Sequence, residues 1–443
     1  MSTFTTTPGP LAPESTPSTT TPAAPDVIVE PALQRYRGRI RGIDLARGLA
    51  ILGMIWAHVR PGIDVTATFT NFLGNIPAGR SSALFALLAG ISLAILSGRN
   101  VPYTDLQLRH AQLRIAGRAV ALLAFAAFLS LFPTIIAVIL GYYAAWFLLA
   151  LPLLSWSSKK LAITAGVVAL VGPQVMHLAN LISYTFDVYP ASGPNSYLYD
   201  VLVTGHYPGL AYMAYVIAGI AIGRTDLSAS SARIRLLGGG LMLAVLGYGT
   251  AYLATHTFAT ETGFESGNSM EFVPSFMPFT LWDVFTAEPH MNTTTEVIGN
   301  LGFGLIVLAV CLWLSPLAKH LLFPIAAVGS MSLTAYVGHA FGLHFNEELF
   351  FSSTATPFLL VAGIAVLFCT VWALLPFRRG PLEWMTYWFS QWFAHPALPR
   401  PAVQPVTSQA GTLPPTPQSP ATSKPEAQPE LEAPAVPEPN EQP

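Results

Sequence analysis

The sequence predicts an all-α protein: a polytopic integral membrane bundle of about ten transmembrane helices with disordered termini. Of 443 residues, 52% are hydrophobic and only 10% are charged, whereas about a quarter of the residues of a soluble domain are charged. Apolar runs of about 20 residues, the length that crosses a bilayer, recur along the chain. Low-complexity segments lie at both ends. This composition excludes an ordinary soluble enzyme.

The predicted spans follow one another closely and show no internal repeat, which disfavours a transporter built from two homologous halves. The third and fourth spans are nearly continuous around Pro133. The spans lie at residues 43–59, 81–98, 113–132, 134–155, 161–182, 207–223, 234–255, 296–316, 322–343 and 356–376.

The two tails differ from the rest of the chain in composition. Residues 1–34 are rich in Thr, Pro, Ser and Ala, and residues 393–443 are rich in Pro, Ala, Gln and Glu. Such segments bury too little apolar surface to fold, so we expect both to be disordered. Residues 1–34 lack a basic segment followed by an apolar run, so the first span is expected to act as an uncleaved signal-anchor. Residues 35–392 form the predicted bundle.

Basic residues concentrate in alternate loops, and this pattern orients the bundle. The intervening loops, at about residues 178–206, 256–295 and 344–355, contain no Lys or Arg. The positive-inside rule therefore predicts a plasma-membrane protein with both termini in the cytoplasm. The residues that carry this prediction are Arg35, Arg37, Arg39, Arg41, Arg99, Arg109, Arg114, Arg118, Lys159, Lys160, Arg224, Arg233, Arg235, Lys319, Arg378 and Arg379.

Most histidines fall on the opposite, outer side of this topology. Because imidazole accepts and donates protons near neutral pH, they favour a chemical site there; hydrogen bonding of interfacial histidines to backbone carbonyls is the alternative. The outer histidines are His58, His177, His206, His256, His290, His339 and His344.

The first span carries three polar residues on one helix face. At about 100° per residue, Asp44, Arg47 and His58 align, with Arg47 and His58 roughly 16 Å apart along the axis. Ionisable groups in a membrane helix are costly and usually face a cavity or a partner. The stripe is thus a candidate site. Alternatively, Asp44 and Arg47 form an i,i+3 pair that anchors the helix, and His58 is an interfacial helix-end residue.

Two further groups of residues are candidates for substrate binding. Ser332, Tyr336 and His339 share a face of the ninth span, either for interhelical hydrogen bonding or as a pocket opposite the first helix. The outer segment 282–296 contains His290 and Glu296 beside an aromatic residue, a combination suited to carbohydrate or, alternatively, to a capped helix start. His206 joins these candidates from its outer position.

Several motifs resemble a known group of membrane enzymes. Residues 41–55, RGIDLARGLAILGMI, resemble the catalytic domain of heparan-alpha-glucosaminide N-acetyltransferase and its bacterial relatives. The Arg-x10-His spacing of Arg47 and His58 resembles the first helix of the acyltransferase-3 superfamily. Residues 79–92 and 212–227 resemble further spans of bacterial members. Two later motifs, at 329–336 and 380–384, resemble a functionally uncharacterised branch, so that the resemblance covers about residues 35–390.

The resemblance implies transfer of an acyl group, often acetyl, from cytoplasmic acyl-CoA to a sugar, glycolipid or other envelope acceptor at the outer face. Asp44 and Arg47 would then bind the donor phosphates. His58 would act as base or acyl carrier. Arg80 would stabilise the oxyanion or keep His58 neutral, unless it only snorkels to headgroups.

This chain departs from the sugar N-acetyltransferases at one important position. They typically have Asn at the position of His58 and a catalytic His in the next outer loop, whereas residues 60–79 here contain no histidine. The N-acetylglucosaminide activity is therefore not carried over to this chain.

Two functions from other classes remain open: a transporter or flippase for an envelope metabolite, and a scaffold that binds partners through its Pro-rich tails. We expect membrane lipids and a glycan or glycolipid acceptor as partners, with no nucleic acid and no metal. A homodimer is left open. Cys311 and Cys369 lie in apolar runs and are expected to be small core residues.

Overall fold

A computed structural model describes residues 40–59, 74–132, 136–188, 194–257, 283–317, 320–351, 354–377 and 379–394. Within these ranges the regular elements are all helical. The helices are α1 Arg41–His58, α2 Arg80–Leu96, α3 Asp105–Ser130, α4 Leu140–Ala150, α5 Ser158–Phe186, α6 Pro194–Tyr199, α7 Gly209–Gly223, α8 Ser230–Thr257, α9 Thr294–Leu317, α10 Phe323–Ser330, α11 Ser332–His344, α12 Thr356–Leu374 and α13 Pro381–Ala394.

The helices form a polytopic membrane bundle, which confirms the predicted fold class. By length and composition, α3, α5, α8, α9 and α12 can each cross a membrane. Residues 196–204 and α7 form a sixth candidate span that is bent by 62°. Helices α2 and α4 are shorter but apolar. Each predicted span coincides with a helix or a pair of helices.

The ninth predicted span, 322–343, is not one continuous helix, and that prediction is wrong at Met331. Met331 separates α10 from α11 with φ −123° and ψ 39°. The carboxylate of Glu383, in α13, accepts the backbone N–H groups of Leu333 and Thr334 at 2.8 and 3.0 Å. A carboxylate at a helix N-terminus satisfies donors that lack an intrahelical partner. Glu383 therefore stabilises a new helix start after the break.

Small residues let pairs of core helices approach closely. Gly48 of α1 lies against the backbone of Ile325, and Gly329 lies against the carbonyl of Asp44. Through these contacts α1 packs on α10 without intervening side chains. Such small-residue crossings are typical of membrane helices, where dispersion contacts rather than the hydrophobic effect drive association.

Arg224 joins the C-terminal ends of three helices. Its guanidinium donates to the carbonyls of Ser97, Arg99 and Leu154 at 3.1, 2.8 and 2.5 Å. Carbonyls at helix C-termini have no intrahelical donor, so a buried arginine there satisfies several at once. From the sequence alone, Arg224 has a predicted role only in orienting the bundle.

The bundle has two chemically distinct ends. We call the end of the bundle that carries His58, His206, His290 and His339 the histidine end. We call the end that carries Arg47, Arg99, Arg114, Arg118, Arg224 and Arg379 the arginine end. The predicted tails lie outside the described residues except for residues 393 and 394, which complete α13. The segments 60–73 and 258–282, including Trp282, also lie outside them.

Substitution of Gly90 tests the close crossing of α2 and α7. A side chain at Gly90 would meet the backbone of Val216 and Gly219, so Gly90→Val should lower stability by about 1–3 kcal/mol, the usual cost of overpacking. Thermal unfolding of the detergent-solubilised protein measures this. Gly238→Val is the matched control, since a Cβ at Gly238 meets nothing within 4 Å. Equal losses in both variants would contradict the packing argument.

Candidate functional site

The histidine end is built around a pair of imidazoles from distant parts of the sequence. His58, the last residue of α1, places its Nδ1 atom 3.1 Å from Nε2 of His339 in α11. The rings stack with centroids 5.3 Å apart and planes 17° from parallel. The structure thus brings His339 opposite the first helix, which is one of the two arrangements that the sequence left open for this face of α11.

The hydrogen bonds of this pair fix its tautomers. Nδ1 of His339 lies 3.1 Å from the carbonyl oxygen of Ala335, and because a carbonyl only accepts, Nδ1 carries the proton. In the neutral ring Nε2 of His339 is then an acceptor, so His58 donates from Nδ1. This arrangement leaves the lone pair of His58 on Nε2, which makes no hydrogen bond within the described part of the chain.

Two more histidines adjoin the pair. His206, at the break before α7, and His290, before α9, have ring centroids 5.6 Å apart. Both lie close enough to His58 to interact with it electrostatically. Tyr207 packs against His290 with centroids 5.6 Å apart, and Tyr336 packs against His339 at 5.1 Å. Four of the predicted outer histidines therefore converge, with tyrosines between them.

His290 sits in a strained turn that Glu296 supports. His290 and Asn292 have φ values of 70° and 56°, in the left-handed region that residues other than glycine rarely occupy. Their backbone N–H groups donate to the two carboxylate oxygens of Glu296 at 3.0 and 2.6 Å. Backbone strain persists only where surrounding contacts over-determine it, and it is common at functional sites. In the structure Glu296 positions His290 and occupies the start of α9.

The side chain of His290 is partly buried and neutral. Burial, followed by the neighbouring His206, lowers the pKa of His290 to about 4. Its Nδ1 atom is buried without a hydrogen-bond partner among the described residues. At neutral pH the Nδ1 atom of this imidazole therefore lies beside the His58–His339 pair without a hydrogen-bond partner among the described residues.

Arg80 is connected to Glu296 through a chain of polar side chains. Its Nε atom donates to the hydroxyl of Tyr248 at 2.9 Å, and that hydroxyl donates to Asn300 at 2.7 Å. The amide of Asn300 donates to Glu296 at 3.2 Å. The described contacts of Arg80 do not include His58, the residue that we expected it to influence directly.

At the other end of α1, Arg47 bridges two helices. It donates to Asp44 at 3.2 Å and to the hydroxyl of Ser92, in α2, at 2.6 Å. The Asp44 side chain is buried, with 3% of the residue exposed. The i,i+3 pair considered from the sequence is therefore present, and the second guanidinium nitrogen ties α1 to α2.

The remaining candidates of α11 lie apart from the histidine pair or serve packing. Ser332 begins the helix, roughly 10 Å from His339 along its axis. The hydroxyl of Tyr336 accepts the backbone N–H of Ile139 at 3.1 Å, a contact of the interhelical kind. Of the three residues, His339 is the one whose ring contacts His58.

The sequence missed the supporting residues of this site. Tyr207, Tyr248 and Asn300 sit in ordinary apolar or polar surroundings in the sequence, and their roles depend on contacts between distant segments. A signal was present for Tyr207, which follows His206 directly before Pro208. No group of three or more His, Cys, Asp or Glu side chains within the described ranges could hold a metal ion.

Comparison with known families divides the bundle into two consecutive parts. Residues 39–257 match the family model described as heparan-alpha-glucosaminide N-acetyltransferase, catalytic. Residues 256–392 match a family described as a protein of unknown function, DUF418. No curated protein matches the chain.

The candidate site spans both matched parts, since His58 and His206 lie in the first and His290 and His339 in the second. The first match favours acetyltransferase-type chemistry for residues 39–257. The matches support a membrane protein of the acetyltransferase type, similar to heparan-alpha-glucosaminide N-acetyltransferase in residues 39–257 and to DUF418 proteins in residues 256–392.

Proposed function

We propose that this protein is a membrane-bound O- or N-acyltransferase of the plasma membrane, with both termini in the cytoplasm. It moves an acyl group, in the simplest case acetyl, from cytoplasmic acyl-CoA to a sugar, glycolipid or other envelope acceptor at the outer face. The observation that carries the proposal is the His58–His339 pair, because it presents an unprotonated imidazole nitrogen inside the bundle.

The geometry of α1 supports a route for the donor. Arg47 lies toward the arginine end and His58 closes the opposite end of the same helix, roughly 16 Å away along the axis. Guanidinium groups recognise phosphate, so the nucleotide part of the donor binds beside Arg47 and Asp44. The thioester arm then extends along α1 toward His58.

The transfer itself needs one proton acceptor and one leaving group. Nε2 of His58 takes the proton of the acceptor hydroxyl or amine while the acceptor attacks the thioester carbonyl. The carbon–sulfur bond breaks, and the thiolate of coenzyme A takes the proton from His58. Throughout, Nδ1–H of His58 stays bonded to His339, which stabilises the imidazolium, as the third member of a catalytic triad does.

The same nitrogen can serve as acyl carrier. In that variant Nε2 attacks the thioester carbonyl and coenzyme A leaves as its thiolate. The acceptor then attacks the acyl-imidazole carbonyl, the bond from Nε2 to the acyl carbon breaks, and the proton of the acceptor passes to the thiolate. Both routes use the same tautomer. They differ in whether an acylated His58 accumulates when the acceptor is withheld.

His206 and His290 are placed to bind the acceptor. The buried Nδ1 atom of His290 lacks a partner within the described residues and can exchange a hydrogen bond with a hydroxyl group. The aromatic ring of Tyr207 lies beside it. Polar groups next to an aromatic ring suit a sugar, which is why a glycan or glycolipid is proposed as acceptor.

Substitution of His58 tests its proposed role as general base or acyl carrier. His58→Ala should reduce acyl transfer by about 10²–10⁴-fold, because a general base contributes that much. The measurement is release of coenzyme A from acetyl-CoA by the purified protein with envelope extract as acceptor. His256→Ala is the matched control, since the His256 ring stacks on Tyr252 at the end of α8. Full activity of His58→Ala, or substrate uptake without release of coenzyme A, would contradict the proposal.

A second prediction separates positioning from catalysis at His339. His339→Ala removes the acceptor of the His58 Nδ1 proton, so the rate should fall about tenfold or more while the KM for acetyl-CoA changes little. His339→Gln offers a carbonyl oxygen as a replacement acceptor and should recover part of the rate. A change confined to KM would show that His339 binds substrate instead.

The third prediction follows from the neutral state of His290. The pKa of His290 is about 4 in the folded protein against an ordinary value of 6.5, so between these values the unfolded state binds more protons. Its contribution to stability is therefore present above pH 6.5 and is lost as the pH falls toward 4, by about 1.4 kcal/mol per pH unit.

Unfolding midpoints at pH 7 and pH 5 measure this effect. His290→Gln should make the two midpoints more similar than in the wild type, whereas the exposed control His256→Gln should not. An unchanged pH dependence in His290→Gln would show that other groups cause the loss.

A further inference from the structure

Arginines from three separate segments gather at the arginine end. Arg47 lies in α1, Arg114 and Arg118 lie one turn apart in α3, and Arg379 lies in the turn before α13. Arg118 is close enough to the other three to interact with each electrostatically. Asp44 pairs with Arg47, and repulsion among the remaining like charges is relieved when an anion binds near them.

Three of these arginines are held by neighbouring groups. Arg47 is bonded to Asp44 and Ser92. With its amide oxygen turned toward α3, Gln391 accepts from Nη2 and Nε of Arg114 at 2.9 and 3.2 Å. The guanidinium of Arg379 lies 3.6 Å above the ring centre of Tyr387. Helix α13 therefore positions two of the charges.

Arg118 differs from the other three arginines, because it has no comparable hydrogen-bond or ring contact among the described residues. Its Nε atom is buried and has no hydrogen-bond partner in the described part of the chain. The three other arginines and the hydroxyl of Tyr387 act on it electrostatically. The backbone at Arg118 is held close to α13, because the adjacent Gly117 packs directly against Ser390 and Phe393 of that helix.

We propose that Arg118, with Arg47, Arg114 and Arg379, forms a binding site for a ligand that carries phosphate groups. A guanidinium binds phosphate through two parallel hydrogen bonds, and such charge-assisted bonds satisfy buried donors better than neutral acceptors do. Several neighbouring guanidinium groups suit a ligand with more than one negative charge. A monocarboxylate or a sulfate ester, each with a single charge, matches this set less well.

Two sources of phosphate share this chemistry. One is the nucleotide part of coenzyme A, which carries a 3′-phosphate and a diphosphate; this source rests on the proposed function. The other is the headgroup of an anionic lipid at the membrane surface. In the first case the site extends the donor site of Arg47 by three residues, and in the second it anchors the bundle in the membrane.

The test uses the full-length protein and two probes. Calorimetry in detergent measures binding of unacylated coenzyme A, and the thermal midpoint is compared in nanodiscs of phosphatidylcholine with and without phosphatidylglycerol. Arg118→Gln removes the charge, and Arg118→Lys keeps the charge but loses the paired hydrogen bonds. Arg235→Gln is the matched control, since Arg235 is exposed and bonds to Ser231 of its own helix.

If the ligand is the donor, Arg118→Gln should weaken coenzyme A binding by about ten- to a hundredfold, Arg118→Lys should be intermediate, and the control should be unchanged. If the ligand is a lipid headgroup, coenzyme A binding stays constant and the stabilisation by phosphatidylglycerol is lost in Arg118→Gln. The proposal is overturned if Arg118→Gln alters neither quantity.

Arg379→Gln provides a second variant in case Arg118→Gln does not fold, because Arg379 lies in an exposed turn. It should shift the same quantity in the same direction, and no shift would count against the site. Failure of the wild type to bind coenzyme A would overturn the acyltransferase proposal, whereas the lipid measurement would still decide whether the arginines bind phosphate.

Discussion

The hydrogen bond from His339 to the backbone carbonyl of Ala335 determines the chemistry of the histidine end. A carbonyl cannot donate, so it fixes the proton on Nδ1 of His339, and the neighbouring ring of His58 is fixed in turn. Within α11 this bond is local, from one turn to the next. Its consequence reaches α1, because it decides which nitrogen of His58 is left unprotonated.

That contact depends on how closely α1 packs against α10 and α11. Gly48 and Gly329 allow the backbones of α1 and α10 to touch, and the break at Met331 then sets the direction of α11. Glu383 makes the break stable by accepting the N–H groups at the start of α11. The motifs at residues 329–336 and 380–384 thus meet in space, and together they place His339.

Two carboxylates stabilise helix starts in this bundle, although an ionisable side chain in a membrane protein is energetically costly. Glu296 and Glu383 each accept backbone N–H groups near the start of a helix. The hydrogen bonds from these N–H groups replace the water molecules that would otherwise solvate the carboxylate. At Glu296 the result is a turn with two left-handed residues, one of which is His290.

The sequence by itself determined the class of the fold, the approximate limits of the spans and the residues worth considering. These follow from local properties: apolar length, charge distribution and helical spacing, as in the alignment of Asp44, Arg47 and His58 on one face. For His339 the sequence left open both interhelical hydrogen bonding and a position opposite α1. The tertiary structure decided the rest, because it depends on contacts between segments that are far apart in the chain. The direction of Arg80, the support of His290 by Glu296 and the approach of Arg118 to Arg47 each depend on which helices pack together, and the spacing of residues along one helix carries no information about its neighbours.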